Sequence, residues 1–210
     1  MYDFYNFGLI FAGKGKTYLW TSSHGSEWHK LPKYIRKYIK SRKFYIRAVP
    51  GRKLSMSFVD EMKKSARKNQ CHIFILGNYS PWILAHMWYI LHYLFIFKGA
   101  NNLRWLNDDP KWILQKFSKI VKILRILKCK IIIASLIPSP VSHKICHSAF
   151  HYVNKKLQKL CQKYGHTSFM NLDEIFLKKH NVNMAYYKID KIHLNTRGSK
   201  ALAKEIKRQI

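Results

Sequence analysis

The chain has 210 residues, enough for one domain and too few for two of ordinary size. Its apolar content of 48% supports a real core and excludes a disordered tail. Lys and Arg number 39 against 10 Asp and Glu, a formal charge of +29, and so large an excess points to a polyanionic partner: nucleic acid first, an anionic membrane surface second. A merely solvated basic surface is the competing explanation of the same composition.

The opening MYDFYNFGLIFAGKGK has no basic segment followed by a long apolar stretch, so it does not read as a secretory signal. Thr17–Trp20 predicts a short strand. Leu31–Lys40 predicts a helix, with Leu31, Tyr34, Ile35, Tyr38 and Ile39 inward and Lys33, Arg36, Lys37 and Lys40 outward. Phe44–Val49 predicts a second strand, ended by Pro50-Gly51. Ser57–Asn69 predicts a polar helix with Phe58 and Met62 inward, and His72–Leu76 a buried strand bounded by Gly77.

Pro81–Phe97 is apolar on all sides apart from His86 and His92, and at 17 residues it is short of the roughly 20 a bilayer span needs. It reads as a buried or surface-lying helix, or as an insertion. Trp112–Lys128 predicts an amphipathic helix with Ile113, Phe117, Ile120, Val121 and Leu124 inward, flanked by Lys116, Lys119, Lys122, Arg125 and Lys128. Lys130–Leu136 predicts another buried strand. Phe150–Tyr164 predicts a helix with Val153, Leu157, Leu160 and Cys161 inward and Lys155, Lys156, Lys159 and Lys163 outward. Thr167–Leu172 and Thr196–Ile210 predict a last strand and a last helix. Strands alternating with crossover helices imply a five-stranded parallel sheet with helices on both faces, a three-layer α/β/α sandwich.

Cys71, Cys129, Cys146 and Cys161 show no CxxC or Cys/His metal spacing and read as reduced thiols of a cytoplasmic chain. His143, His147 and His151 recur every four residues, but no acidic partner adjoins them. No metal and no cofactor is expected.

The most specific string is Asp190-x-x-His193-x-Asn195-x-x-Gly198, at the mouth of the last predicted helix. It resembles the last block of SGNH (GDSL-type) hydrolases, and other blocks of that family follow in order. Thr21-Ser22-Ser23-His24-Gly25 stands where the family has Gly-Asp-Ser, Val49-Pro50-Gly51 ends the second strand, and Ile75-Leu76-Gly77-Asn78 stands where the family has Gly-x-Asn-Asp. The resemblance covers the chain from about Thr17 onward. It implies one domain over residues 1–210, flavodoxin-like strand order, and a site of Ser23 (nucleophile), His193 (general base), Asp190 (orienting group), Gly51 and an oxyanion-binding asparagine.

Two departures stand out. Ser22 replaces the block-one aspartate, and Tyr79 falls where the oxyanion asparagine belongs without a gap. Asn78 fits with a shift of one residue. Asn102 fits if residues 79–101 are an insertion, because their removal joins Ile-Leu-Gly-Asn to Asn-Leu-Arg. Degenerate blocks on so basic a chain are most similar to the OSK domain, a non-catalytic RNA-binding branch of this fold in the insect germ-plasm organiser Oskar; the SGNH-like domains of some retroelement proteins are the nearest competitor. That resemblance implies an mRNA-binding module of cytoplasmic germ granules, with protein partners in a ribonucleoprotein assembly. The residues themselves agree in one respect. Lys30–Arg47 interleaves cations with Tyr34, Tyr38, Phe44 and Tyr45, although Tyr34 and Tyr38 lie on the apolar face. The expected RNA-binding set is Lys33, Arg36, Lys37, Lys40, Arg42, Lys43, Lys116, Lys119, Lys122, Arg125, Lys155, Lys156 and Lys159. An active serine esterase or acetylhydrolase using Ser23, His193 and Asp190 is the alternative, and a membrane-surface protein a third possibility.

Overall fold

The computed structural model describes residues 15–21, 30–40, 43–48, 54–75 and 110–210, the side chains of 110–112 and 141–149 excepted. Its strands are β1 (Thr17–Thr21), β2 (Phe44–Ala48), β3 (Cys71–Ile75), β4 (Lys130–Ala134), β5 (Thr167–Met170) and the two-residue pair β6 (Leu177–Lys178) and β7 (Asn181–Val182). Its helices are α1 (Leu31–Tyr38), α2 (Met56–Ser65), α3 (Pro110–Ile126), α4 (Pro140–Gln162), α5 (Asp173–Phe176) and α6 (Thr196–Gln209), with a 3₁₀ turn at Met184–Tyr186.

β1 to β5 form the expected parallel sheet, in the order β2-β1-β3-β4-β5. The apolar runs of β3 and β4 are buried throughout, as a strand covered on both faces requires. Residues of alternate parity feed two cores. Tyr18, Trp20, Phe74, Ile131 and Ile133 pack with α2, α3 and α4, through Phe58, Met62, Phe117, Leu124, Val153 and Leu157. Leu19, Ile73, Ile75, Ile132 and Met170 pack with α1 and α6, through Leu31, Ile35, Leu202 and Ile206.

Element boundaries differ where local chemistry overrides periodicity. α1 stops at Tyr38, and Ile39 leaves the helical region to bury its side chain. α2 starts at Met56 because Ser55 caps it, its hydroxyl accepting from the Phe58 N–H at 3.2 Å. α2 also ends well before Asn69, which adopts a left-handed φ of 58° in the turn into β3. α4 begins ten residues ahead of Phe150, at Pro140, since proline suits the first turn, where its missing N–H costs nothing. The β6–β7 pair and the 3₁₀ turn carry no periodic signal and are unanticipated.

Aromatic rings cross the first face in rows set by strand register. Tyr18 pairs with Tyr45 on β2 and with His72 on β3, and its ring stacks on both at 5.3 Å. One row on, Trp20 stacks against Phe74 at 6.4 Å and 8°. The buried polar atoms of this face form a chain. The Trp20 indole N–H donates to His72 Nδ1 at 3.0 Å. Trp can only donate, so Nδ1 accepts and the imidazole proton sits on Nε2, 3.2 Å from Gln70 Oε1. That oxygen also accepts the Arg67 N–H at 2.9 Å.

Burial pushes the His72 pKa down from 6.5 to about 4. The fold therefore favours the neutral ring. The stability this contributes is complete above pH 6.5 and is lost as pH falls through 6.5 towards 4, amounting to about 3 kcal/mol at ~1.4 kcal/mol per unit. Urea unfolding at pH 7 and pH 4.5 is expected to show this acid loss, and His72→Gln, which keeps an acceptor for Trp20, is expected to show a smaller one. Equal losses in the two proteins would refute the assignment.

Candidate functional site

β1 ends at Thr21, whose register partners are Ala48 and Ile75, the last residues of β2 and β3. The chain therefore leaves three neighbouring strands on one edge of the sheet. Ser23 follows its strand by two residues, and Gly51 and Asn78 follow theirs by three. Strand order reverses between β1 and β3, the position where open α/β sheets place their ligand crevice. Ser23, Gly51, Asn78 and Asn102 themselves lie outside the described residues, as do Arg42 and the whole of 79–101.

The Asp190–His193 half of the expected site is described in full. Asp190 Oδ2 meets His193 Nδ1 at 2.8 Å. Asp190 Oδ1 accepts the backbone N–H groups of Ile192 and His193, both at 2.9 Å, which closes a tight turn with Lys191 at a left-handed φ of 56°. Partial burial alone would raise the Asp190 carboxyl. The backbone hydrogen bonds from His193 and Ile192, then the side-chain hydrogen bond and charge of His193, outweigh it and hold the pKa down at about 2. An ionised carboxylate accepts only, so Nδ1 carries the ring proton and Nε2 carries the lone pair.

The turn is fixed to the sheet edge at several points. Tyr187 and Leu194 form an antiparallel bridge at its base, and the Lys188 N–H donates to the His193 carbonyl at 2.8 Å. The buried Tyr187 hydroxyl donates to the carbonyl of Pro138, on the segment leaving β4. That segment is held in turn by Asn154 of α4, whose side-chain oxygen accepts the Leu136 N–H, and by Ser135, whose hydroxyl accepts the Leu172 N–H, both at 2.9 Å.

Asn195 and Gly198 complete the motif in ways its spacing alone does not reveal. Asn195 Oδ1 caps α6 through the N–H groups of Arg197 and Gly198, at 2.8 and 3.1 Å. Its amide nitrogen donates to the carbonyls of Ala185 and Tyr187, at 2.8 and 3.0 Å. One side chain therefore starts the helix and ties the preceding strap to it. At position 198 a Cβ would sit 2.4 Å from the Tyr186 carbonyl oxygen, so only glycine lets the helix approach so closely. An asparagine ahead of a predicted helix is an N-cap signal and foretells the first contact; Tyr187 carries no signal of its role.

The expected cationic set divides. Lys33, Arg36, Lys37, Lys40, Lys43, Lys119, Lys122, Arg125, Lys155, Lys156 and Lys159 are exposed. Lys116 is instead buried, at 9% exposure. Residues three apart on a helix of 3.6 per turn drift by about 60° at each step. The run from Lys116 to Arg125 therefore turns half-way round α3, and its first member falls beside the inward stripe. Arg125 lies over the Tyr164 ring at 4.4 Å. Tyr34 is buried and Tyr38 half-buried, as expected, whereas Tyr45 is exposed.

Cys71, Cys129 and Cys161 are unpaired and buried, and burial pushes the Cys71 thiol up to about 11 and the Cys161 thiol up to about 12. Cys146, His143 and His147 belong to the part of α4 whose side chains lie outside the description. Among the described residues no three His, Cys, Asp or Glu side chains cluster as metal ligands, and no helix is long and apolar enough to cross a membrane.

Comparison with known proteins agrees with this architecture. No family model matches the chain, and no curated protein matches it by sequence. Solved structures do. A GDSL-like lipase from Bacteroides thetaiotaomicron superposes with a TM-score of 0.63 at 14% identity, covering 98% of this chain and 96% of that one. A lipase/acylhydrolase from Enterococcus faecalis gives 0.63 at 11% identity, covering 93% and 95%. An acetyl xylan esterase gives 0.67 at 11%, covering 93% and 99%. The chain has the SGNH-hydrolase fold, and at these identities the likeness concerns the fold alone.

The Gly198 geometry makes a direct prediction. Gly198→Ala is expected to destabilise the protein by about 1–3 kcal/mol, measured by urea unfolding, because the added methyl group's tightest contact is the backbone carbonyl of Tyr186, which cannot swing aside as a side chain can. An unchanged midpoint would show that α6 slides away at no cost.

Proposed function

We propose that the chain is a GDSL-type serine hydrolase cleaving acyl or acetyl esters, with Ser23 as nucleophile, His193 as general base and Asp190 as the group that orients the imidazole. The observation that carries this reading is the dyad geometry: a 2.8 Å contact from an aspartate whose other oxygen is already held by two backbone N–H groups. Asp190 is thereby fixed before any substrate arrives. Its charge keeps the ring proton on Nδ1 and stabilises the imidazolium that forms when Nε2 takes the serine proton. Ser23 Oγ then attacks the ester carbonyl, and His193 returns the proton to the leaving alcohol. Water, activated by the same Nε2, hydrolyses the acyl-enzyme. Gly51 N–H and the side chain of Asn78 or Asn102 are the candidate oxyanion donors.

The departures at Ser22 and Tyr79 favour a slow enzyme over an inert one, since loss of a single oxyanion donor costs roughly 10²–10³ in turnover. This reading gives the intact dyad more weight than the two degenerate blocks behind the expectation of a non-catalytic domain. Hydrolysis of p-nitrophenyl acetate tests it. Turnover is expected to fall to background in Ser23→Ala and His193→Ala, and by roughly 10³–10⁴ in Asp190→Asn. Turnover that is the same in wild type and Ser23→Ala would end the hydrolase reading.

A second reading rests on a different observation, the charge of +29 and the exposed cations that α1, α3 and α4 present. We propose that this surface binds RNA; the OSK-like role in a germ-plasm ribonucleoprotein belongs to this reading and is supported by resemblance only. If about 6–10 phosphates are neutralised, RNA affinity is expected to fall by about 10³-fold or more between roughly 50 and 200 mM salt. Filter binding at the two concentrations measures this, and affinity flat across the range would count against the reading.

A further inference from the structure

The ring row on the first face of the sheet does not end inside the protein. It runs from His72 through Tyr18 to Tyr45, each step 5.3 Å between centroids, and Tyr45 belongs to β2, the edge strand. Exposure along β2 alternates. Tyr45 and Arg47 are exposed while Phe44, Ile46 and Ala48 are half-buried, and Tyr45 itself is 37% exposed. In a strand, residues two apart share a face, so Tyr45 and Arg47 line one side of the edge, and the exposed Lys43 directly precedes the strand. Lys16 sits over the Tyr45 ring, 5.6 Å from its centroid. In the next row Arg47 is the register partner of Trp20, so a guanidinium ends the row that Phe74 and Trp20 begin.

We propose that the Lys43–Tyr45–Arg47 edge of β2 is a stacking site for single-stranded RNA. A base adds to the open end of the ring row, on Tyr45, and Lys16, Lys43 and Arg47 hold the adjoining phosphates. Two physical arguments favour this occupant. Tyr45 presents a π-face already oriented by its stack on the buried Tyr18, so little freedom is lost when a base joins it. The ring is also flanked by cations in a chain of charge +29, which suits a ligand with one negative charge per base. Charge alone would protect an edge strand from pairing with another chain. Such protection requires no exposed tyrosine, and the test turns on that residue.

The inference rests on the RNA-binding reading and is separable from it. Binding of a fluorescent oligouridine to the full chain, followed by anisotropy at two salt concentrations, is the measurement. Tyr45→Ala is expected to weaken binding about 5- to 100-fold without changing the salt slope. Tyr45→Phe is expected to stay within about two-fold of wild type, and Arg47→Ala to lower the salt slope by about one. Tyr45→Leu, apolar and of similar bulk, serves if the alanine variant unfolds, and is expected to lose affinity likewise. A duplex of the same length is expected to be indifferent to Tyr45. Wild-type affinity in both Tyr45→Ala and Tyr45→Leu would overturn the stacking site and leave RNA binding intact. No binding by the wild-type chain would overturn both. An equal loss for duplex RNA, or for vesicles of anionic phospholipid, would overturn the stacking site in favour of general electrostatics.

Discussion

Parallel register is the constraint on which this molecule depends. Because Thr21 is aligned with both Ala48 and Ile75, three strands far apart in sequence end together at one edge of the sheet. The same register sorts side chains by parity into two cores and lines rings up in rows. The sheet can hold this alignment because both faces are covered, α2, α3 and α4 on one side and α1 and α6 on the other. A shift of one residue in β1 would turn Trp20 and Leu19 to opposite faces.

The fold was legible where periodicity and burial speak together. The all-apolar runs of β3 and β4 and the Ile113–Leu124 stripe of α3 define their elements without ambiguity. Boundaries were less legible because they are set by single residues: the Ser55 hydroxyl, the left-handed Asn69, the proline that opens α4. The error at Lys116 has a geometric origin, since three-residue spacing on a 3.6-residue helix looks regular in sequence and spirals in space. At the site, Asp190 and His193 could be read because three residues is the span a single turn closes. The double duty of Asn195 could not, because half of its contacts reach back to Ala185 and Tyr187, residues that no pattern connects to it.

Charge extends over the whole of the described chain, the dyad's surroundings included. Exposed cations lie on α1, α3 and α4, on α6 (Arg197, Lys200, Lys204, Lys207 and Arg208) and, at Lys188 and Lys191, on the strap between β7 and α6 that carries the dyad. Nothing in the geometry obliges one function to exclude the other. A chain with little acid to offset its 39 basic residues gains from a polyanion whatever else it does.

Asn195 and Gly198 draw a line through the motif that the spacing hides. Asp190 and His193 are partly exposed and local to one turn, whereas Asn195 nucleates α6 and Gly198 seats it against Tyr186. Under the proposed hydrolase function, selection acts on the two halves through different quantities, turnover for the first and folding for the second. In a lineage released from catalysis the first half is free to drift while the second is retained. The nine-residue string is in that sense two signatures of unequal lifetime, and finding only the later one in a distant relative would be a record of the fold and no longer of the reaction.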